Sequence, residues 1–131
     1  MLDRIDLHVE VTPVPFSDLG APATGERSEE IRKRVMTARQ VQQKRFARNA
    51  GVHANAHIGS ALLKEVCVLD QASTQLLKVA MERLSLSARA YDRILKVSRT
   101  IADLAGSTHI LPAHVAEAIQ YRSLDRAGWA G

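Results

Sequence analysis

The chain has 131 residues and a formal charge of +4, with 46 % apolar and 24 % charged residues, a globular balance rather than a disordered one. Aromatic residues make up 4 %, too few for a base-stacking nucleic-acid platform. No apolar run approaches the roughly 20 residues of a membrane span, and one cysteine, Cys67, excludes an internal disulfide and a cysteine-rich zinc site. No signal peptide is read at the start, so a cytoplasmic setting without membrane contact is expected.

The first twelve residues alternate. Ile5, Leu7, Val9 and Val11 interleave with Asp6, His8, Glu10 and Thr12, the period of a half-buried strand. No second run of this kind follows. A lone strand leaves its backbone groups unpaired, so it either pairs with another molecule or belongs to a sheet outside these residues. The second reading is adopted, with residues 1–12 as a strand remnant, largely disordered here. Residues 13–26 carry Pro13, Pro15, Pro22, Gly20 and Gly25 and read as a linker.

Helical periodicity then takes over through residues 27–124. A helix is expected to start near Ser28, a good cap, and to run to about Ala47, with Glu29 and Glu30 in its positive first turn and Ile31, Val35 and Ala38 as its apolar stripe. Residues 49–59 form an Asn/Gly loop, and Ser60 is the expected cap of a short helix over Ala61 to Val66. Asp70 caps a helix whose stripe is Leu76, Leu77, Ala80 and Leu84. Ser87 caps the strongest helix, with Tyr91, Ile94, Leu95, Ser98, Ile101, Ala102 and Ala105 inward and Gly106 at its end. Pro112 opens the last helix, which buries Val115, Ala118 and Ile119. Residues 125–131 are a tail containing Trp129. The fold class is therefore all-α, a bundle of four or five helices behind a stranded remnant and a linker.

Arg89 stands out among the polar residues. It lies in the first turn after the Ser87 cap, where a guanidinium fork joins free backbone N–H groups, a combination suited to phosphate. Arg93, Lys96 and Thr100 continue the same face; an ordinary charged surface is the plain alternative. Arg4, beside Asp3 at the strand's start, could present a cation to a neighbouring subunit's ligand or be a solvated strand end. Residues 27–48 hold eight cations against Glu29 and Glu30, a net of +6, greater than that of the whole chain. Arg32, Lys33, Arg39, Lys44 and Arg45 among them could contact a nucleic-acid backbone or serve solubility alone. His53 and His57 are four apart but sit in a loop without Cys or Glu nearby, so no metal site is assigned. Cys67, between Val66 and Val68, reads as a core residue. No GxxxxGK[ST] loop occurs in these residues, so the chain by itself is not expected to hydrolyse ATP.

The segments Leu2–Val11, Leu84–Gly106 and His114–Arg122 resemble the C-terminal region of magnesium-chelatase-like AAA+ proteins, in the ComM/YifB branch. That resemblance implies a helical lid that closes over ATP and Mg bound by an N-terminal P-loop core of the same protein. It implies a homo-oligomeric ring, typically a hexamer, although the present residues alone are expected to be monomeric. The Leu-Asp-Arg motif falls on Asp3 and Arg4, making Arg4 the implied arginine finger acting in trans on the neighbour's nucleotide. The Ser-x-Arg motif falls on Ser87 and Arg89, making Arg89 the implied sensor-2 arginine, in agreement with its place on the helix. Arg93 is a lesser nucleotide-binding candidate. The resemblance implies a DNA motor promoting branch migration during natural transformation. The alternatives are a stand-alone basic helical DNA-binding module and the ATPase subunit of a true magnesium chelatase.

Overall fold

The computed structural model describes residues 4–9, 19–20 and 25–122. Asp3, most of the expected linker and the tail with Trp129 lie outside the described residues. Five α-helices and one 3-10 turn make up the body, and the described residues contain no strand and no sheet. The all-α bundle expected from the periodicity is what forms.

Helix α1 spans Ser28–Arg45. Glu29 and Glu30 at its start and Lys44 and Arg45 at its end complement the helix dipole. Ser28 is its first helical residue and the cap position is Arg27, which offers no side-chain bond. The expected apolar stripe is only partly covered. Ala38 is buried, whereas Ile31 and Val35 are exposed, together with every residue from 28 to 37. The reason is where α1 packs: its buried residues are Ala38 and Gln42, both in the second half of the helix, so the first half projects past the bundle. Phe46 follows as the C-terminal cap and turns into the core.

A 3-10 turn at Asn55–His57 and helix α2, Ser60–Val66, lie against the long helix; Ser60 is the first helical residue of α2 and not its cap, a position Gly59 takes with no side-chain bond. Helix α3, Gln71–Leu84, is capped by Asp70, whose carboxylate accepts from the Ser73 N–H at 2.7 Å. Ser73, through its side chain first and this backbone bond second, holds the Asp70 carboxyl below its ordinary range. Helix α4, Ala88–Leu104, is the centre of the fold. Ser87 caps it, with Oγ accepting from the Ala90 N–H at 3.2 Å. Its end is a full Schellman motif: the Gly106 N–H donates to the Asp103 carbonyl at 3.1 Å and the Ser107 N–H to the Ala102 carbonyl at 2.8 Å. Gly106 supplies the required left-handed backbone, φ +72°. Helix α5, Pro112–Gln120, starts on Pro112 and packs on α3 and α4. The His114 Nδ1 accepts from the Leu111 N–H at 2.9 Å and so closes its open end.

The core joins Phe46, Ile58, Leu63, Cys67, Leu77, Ile94, Leu95, Ile110 and Val115. Burial pushes the Cys67 thiol up to about 11, which keeps it protonated and inert, as a core residue should be. On α4 the inward face is Ala90, Ile94, Leu95, Ser98 and Ala102. Tyr91 and Ala105, expected inward, are exposed, because the face is rotated toward Arg99 and Asp103, both buried.

Those two residues belong to a polar network inside the fold. The Asp103 side chain is fully buried and accepts from both terminal nitrogens of Arg45, at 2.7 and 2.9 Å. Asn55 Nδ2 donates to the same carboxylate at 2.9 Å and Arg99 pairs with it at 3.2 Å. Arg99 also donates to the Ser107 and Thr108 carbonyls at the end of α4. The Gln42 side-chain oxygen accepts from the Asn55 N–H at 2.9 Å. The network ties α1, the 55–57 turn and α4 into one unit.

Residues 4–9 differ from expectation. They form no strand, and they are held on the bundle by their polar face. The His8 N–H donates to the Tyr121 carbonyl at 2.6 Å, Asp6 pairs with Arg93 at 2.7 Å, and Arg122 donates to the Ile5 carbonyl. His8 is buried, while Ile5, Leu7 and Val9 face outward. The period of two is present, but its apolar side looks away from the helices.

Removing the Asp103 carboxylate strands two guanidinium groups in the interior. Asp103→Ala should therefore cost about 3–5 kcal/mol of unfolding free energy, measured by urea denaturation at neutral pH. Burial by itself would raise the Asp103 carboxyl, but the Arg45 and Asn55 hydrogen bonds and the Arg45 and Arg99 charges outweigh it and hold it below its ordinary value of 3.8. A depressed folded value gives stability that is complete above 3.8 and lost as pH falls through the lower folded value. The acid limb of a stability–pH curve should flatten in Asp103→Asn.

Candidate functional site: a cationic cleft at the start of the long helix

Arg89 is the second residue of α4, two positions after the Ser87 cap, and its side chain is exposed. The first turn of any helix leaves backbone N–H groups without intrahelical partners and carries the positive end of the dipole. Arg93 and Lys96 follow at offsets of four and seven, which brings them onto the same face. Arg4 arrives from the N-terminal segment. Together with Asp92 these residues line one shallow cleft of about 240 Å³. Four cations thus surround one opening, with Asp92 as the only carboxylate in its lining among the described residues. The sequence named Arg4 and Arg89 for separate reasons; the fold brings them to the same place, although 84 residues of chain lie between them.

The cleft's members are not equivalent. Arg93 Nη1 donates to Asp6 Oδ1 at 2.7 Å, so one fork of its guanidinium is engaged. Lys96 also borders a second, more apolar groove shared with Leu7, Val97, Ile101 and Tyr121.

The α1 cations divide in two. Arg32, Lys33, Arg39 and Lys44 face solvent, with Lys33 loosely paired to Glu30 at 3.6 Å. Arg45, grouped with them by composition, turns inward to Asp103 and Asn55, and is a structural residue. A surface cation and a network cation cannot be told apart by charge count. Only the distant Asp103, 58 residues later, decides the matter. Asn55 and Asp103 were not singled out in the sequence, and their one signal is polar residues embedded in otherwise apolar surroundings. His53 and His57 are both exposed with rings 6.0 Å apart, and the His57 Nδ1 accepts from the His53 N–H at 3.3 Å. Among the described residues no group of three or more metal-ligating side chains gathers.

The sequence model for the family "Magnesium chelatase, subunit ChlI C-terminal" matches residues 25–122, which covers every helix of the bundle. The chain belongs to this family. It is 40 % identical over 126 residues to the competence protein ComM of Haemophilus influenzae, covering 95 % of this chain and 24 % of that protein. It is 38 % identical over the same length to the YifB protein of Escherichia coli, again 95 % of this chain and 24 % of the relative. A mycobacterial relative from Mycobacterium bovis is 35 % identical over 122 residues, covering 93 % of this chain and 24 % of its own length. The chain spans about a quarter of the length of the curated relatives it matches. It corresponds to the C-terminal region of ComM/YifB-type proteins. Among the described residues no helix is long and apolar enough to cross a membrane.

The division of the α1 cations makes a direct prediction. Arg45→Ala should lower stability by about 3 kcal/mol, since it leaves a buried carboxylate short of its main partner. Arg39→Ala and Lys44→Ala should stay within about 0.5 kcal/mol of the parent. Urea midpoints for the three variants check both halves.

Proposed function

We propose that this domain is the nucleotide-sensing lid of a magnesium-chelatase-like AAA+ ATPase, and that its cationic cleft receives the phosphates of ATP. The observation that carries the reading is the meeting of Arg4 and Arg89 at one opening beside the first turn of α4. A guanidinium that reaches a terminal phosphate stabilises the charge that shifts outward as the phosphoryl group leaves. Arg89 adds the helix N-terminus to its own charge, and Lys96 contributes a further positive centre on the same face. ATP and its Mg belong to the P-loop core of the parent protein, which supplies the phosphoryl chemistry; the present residues supply cations and shape.

A single cleft has a consequence for geometry. Arg4 and Arg89 line it together, so one nucleotide seated there would meet both. The trans role implied for Arg4 then extends to Arg89, and the pair reads the ATP held by the adjoining subunit of a ring. Such a ring would couple hydrolysis to movement on DNA, and the competence name of the Haemophilus relative favours a DNA motor over metal insertion.

A second reading rests on α1. Residues 28–37 are all exposed, and Arg32, Lys33, Arg39 and Lys44 face solvent along the helix. This helix could hold the DNA backbone while the cleft holds nucleotide. Neutralising about three phosphates should give a log-affinity against log-salt slope near −3 for duplex DNA. A combined Arg32→Ala, Lys33→Ala and Arg39→Ala variant should reduce that slope; binding without salt dependence refutes the α1 reading.

In the full-length protein, Arg89→Ala should lose roughly 2–3 kcal/mol of transition-state stabilisation, a fall of about 30- to 150-fold in ATP turnover. Helical content and melting should be unchanged, because Arg89 is exposed. Turnover and ATP affinity equal to the parent's would refute the assignment.

A further inference from the structure

We infer that Asp6 and Arg93 are a positioning pair whose task is to hold Arg4 beside Arg89, and that Arg93 is not itself a phosphate ligand. The inference rests on the nucleotide reading of the cleft and adds the residues that set its geometry.

Three observations converge. First, Arg93 lies one turn beyond Arg89, in the second turn of α4, where the backbone N–H groups are already bonded within the helix. It lacks the free amides that make Arg89 suited to phosphate. Second, its Nη1 is engaged by the Asp6 carboxylate at 2.7 Å, and the two side chains are 33 % and 42 % exposed, so the pair is shielded on one side but not buried. A phosphate ligand would need to be drawn from an anion already in contact. Third, Asp6 is two residues from Arg4, and the rest of the segment is anchored in register with it. The fully buried Arg122 donates to the Ile5 carbonyl, and the His8 N–H donates to the Tyr121 carbonyl at 2.6 Å.

The anchors have a polarity. Arg122 and His8 tie residues 5–8 to the end of α5, whereas the Asp6 carboxylate ties the segment to α4 through its ion pair with Arg93. The Asp6–Arg93 ion pair, two residues from Arg4 and one turn from Arg89, is therefore the charged link that places Arg4 relative to the first turn of α4. An extended chain advances about 3.3 Å per residue, so Arg4 stands within about 7 Å of its anchor along the backbone, close enough for the pair to dictate its position. The function needs this link because two guanidiniums on separate chain segments can share one phosphate only if their separation is held.

The decisive variant is Asp6→Asn. If Asp6 merely restrains a phosphate-binding Arg93, freeing that arginine should tighten ATP binding or raise turnover. If Asp6 and Arg93 position Arg4, Asp6→Asn and Arg93→Ala should act in the same direction. In the full-length protein each should lower kcat for ATP roughly tenfold or more, since a misplacement of about 1 Å in a catalytic group is that costly, with a smaller change in KM. Each should also speed hydrogen exchange in the peptide covering residues 4–9 by roughly two- to fivefold, the leverage of a partly exposed ion pair. The exchanged pair Asp6→Arg with Arg93→Asp should restore both kcat and exchange protection toward the parent, which loss of a phosphate ligand would not allow. Tighter ATP binding in Asp6→Asn overturns the inference. So does unchanged exchange in both single variants, or a charge exchange that restores neither readout. Exchange is read without nucleotide, so it stays informative even where Arg89→Ala proves inert and the nucleotide reading itself fails.

Discussion

The structure depends on one buried carboxylate. Asp103 sits near the end of α4 with its side chain fully shielded, and it is tolerable there only because two arginines and an asparagine converge on it. Each partner comes from a different place: Arg45 from the end of α1, Asn55 from the irregular stretch after it, Arg99 from one turn earlier on α4 itself. The carboxylate thus does for the loop what apolar packing does for the helices. Residues 46–59 contribute Phe46 and Ile58 to the core but otherwise little apolar area, so polar contacts fix their course. Polar bonds are directional, and a network of this kind specifies one arrangement of α1 on α4 more sharply than Ala38 alone could.

Helix α4 divides its labour along its length. Its last turns hold the network, its middle turns fill the core with Ile94, Leu95 and Ser98, and its first turn is left open to solvent with Arg89. A helix anchored so firmly at one end and in its middle presents its other end as a rigid platform. Loops seldom offer that precision for recognising a small anion. The Ser87 cap contributes as well, since it fixes where the helix begins and hence where the free amides point.

Most of the architecture was legible because it rests on local rules. Asp70, Ser87, Gly106 and Pro112 each mark a helix end by a mechanism that acts within four residues, and all four do so here. Burial on α4 and α5 follows the apolar period except at Tyr91 and Ala105, where the face is rotated toward Arg99 and Asp103. What escaped was non-local. Ile31 and Val35 carry the period of a buried stripe, yet they lie on the half of α1 that extends past its packing partner. Arg45 looked like one more surface cation until Asp103 claimed it. The N-terminal alternation was readable, but which of its two faces would meet the helices was not: Asp6 turns to Arg93, and the His8 backbone N–H fixes the segment on the Tyr121 carbonyl. For the site, Arg89 could be chosen from its own helix position. Its proximity to Arg4 is a tertiary fact with no trace in local pattern.

Charge count and charge convergence give different answers in this molecule, and convergence is the better guide to a site. Helix α1 and its flanks carry a net of +6, more than any other segment, yet those cations point in several directions, pair with Glu26 and Glu30, or turn inward. Long-range attraction sums over all of them, so α1 can draw a polyanion toward the surface, but attraction spread around a helix holds no single phosphate group. At the start of α4 the number is smaller. Four cations line one opening, one of them stands among free backbone amides, and another is steadied by a carboxylate on the far side. Short-range hydrogen bonds to a phosphate require donors with fixed mutual geometry, because each side chain that must be ordered on binding subtracts from the interaction. The sparse cluster, with one of its four cations anchored, comes nearer to that requirement than the dense, dispersed one.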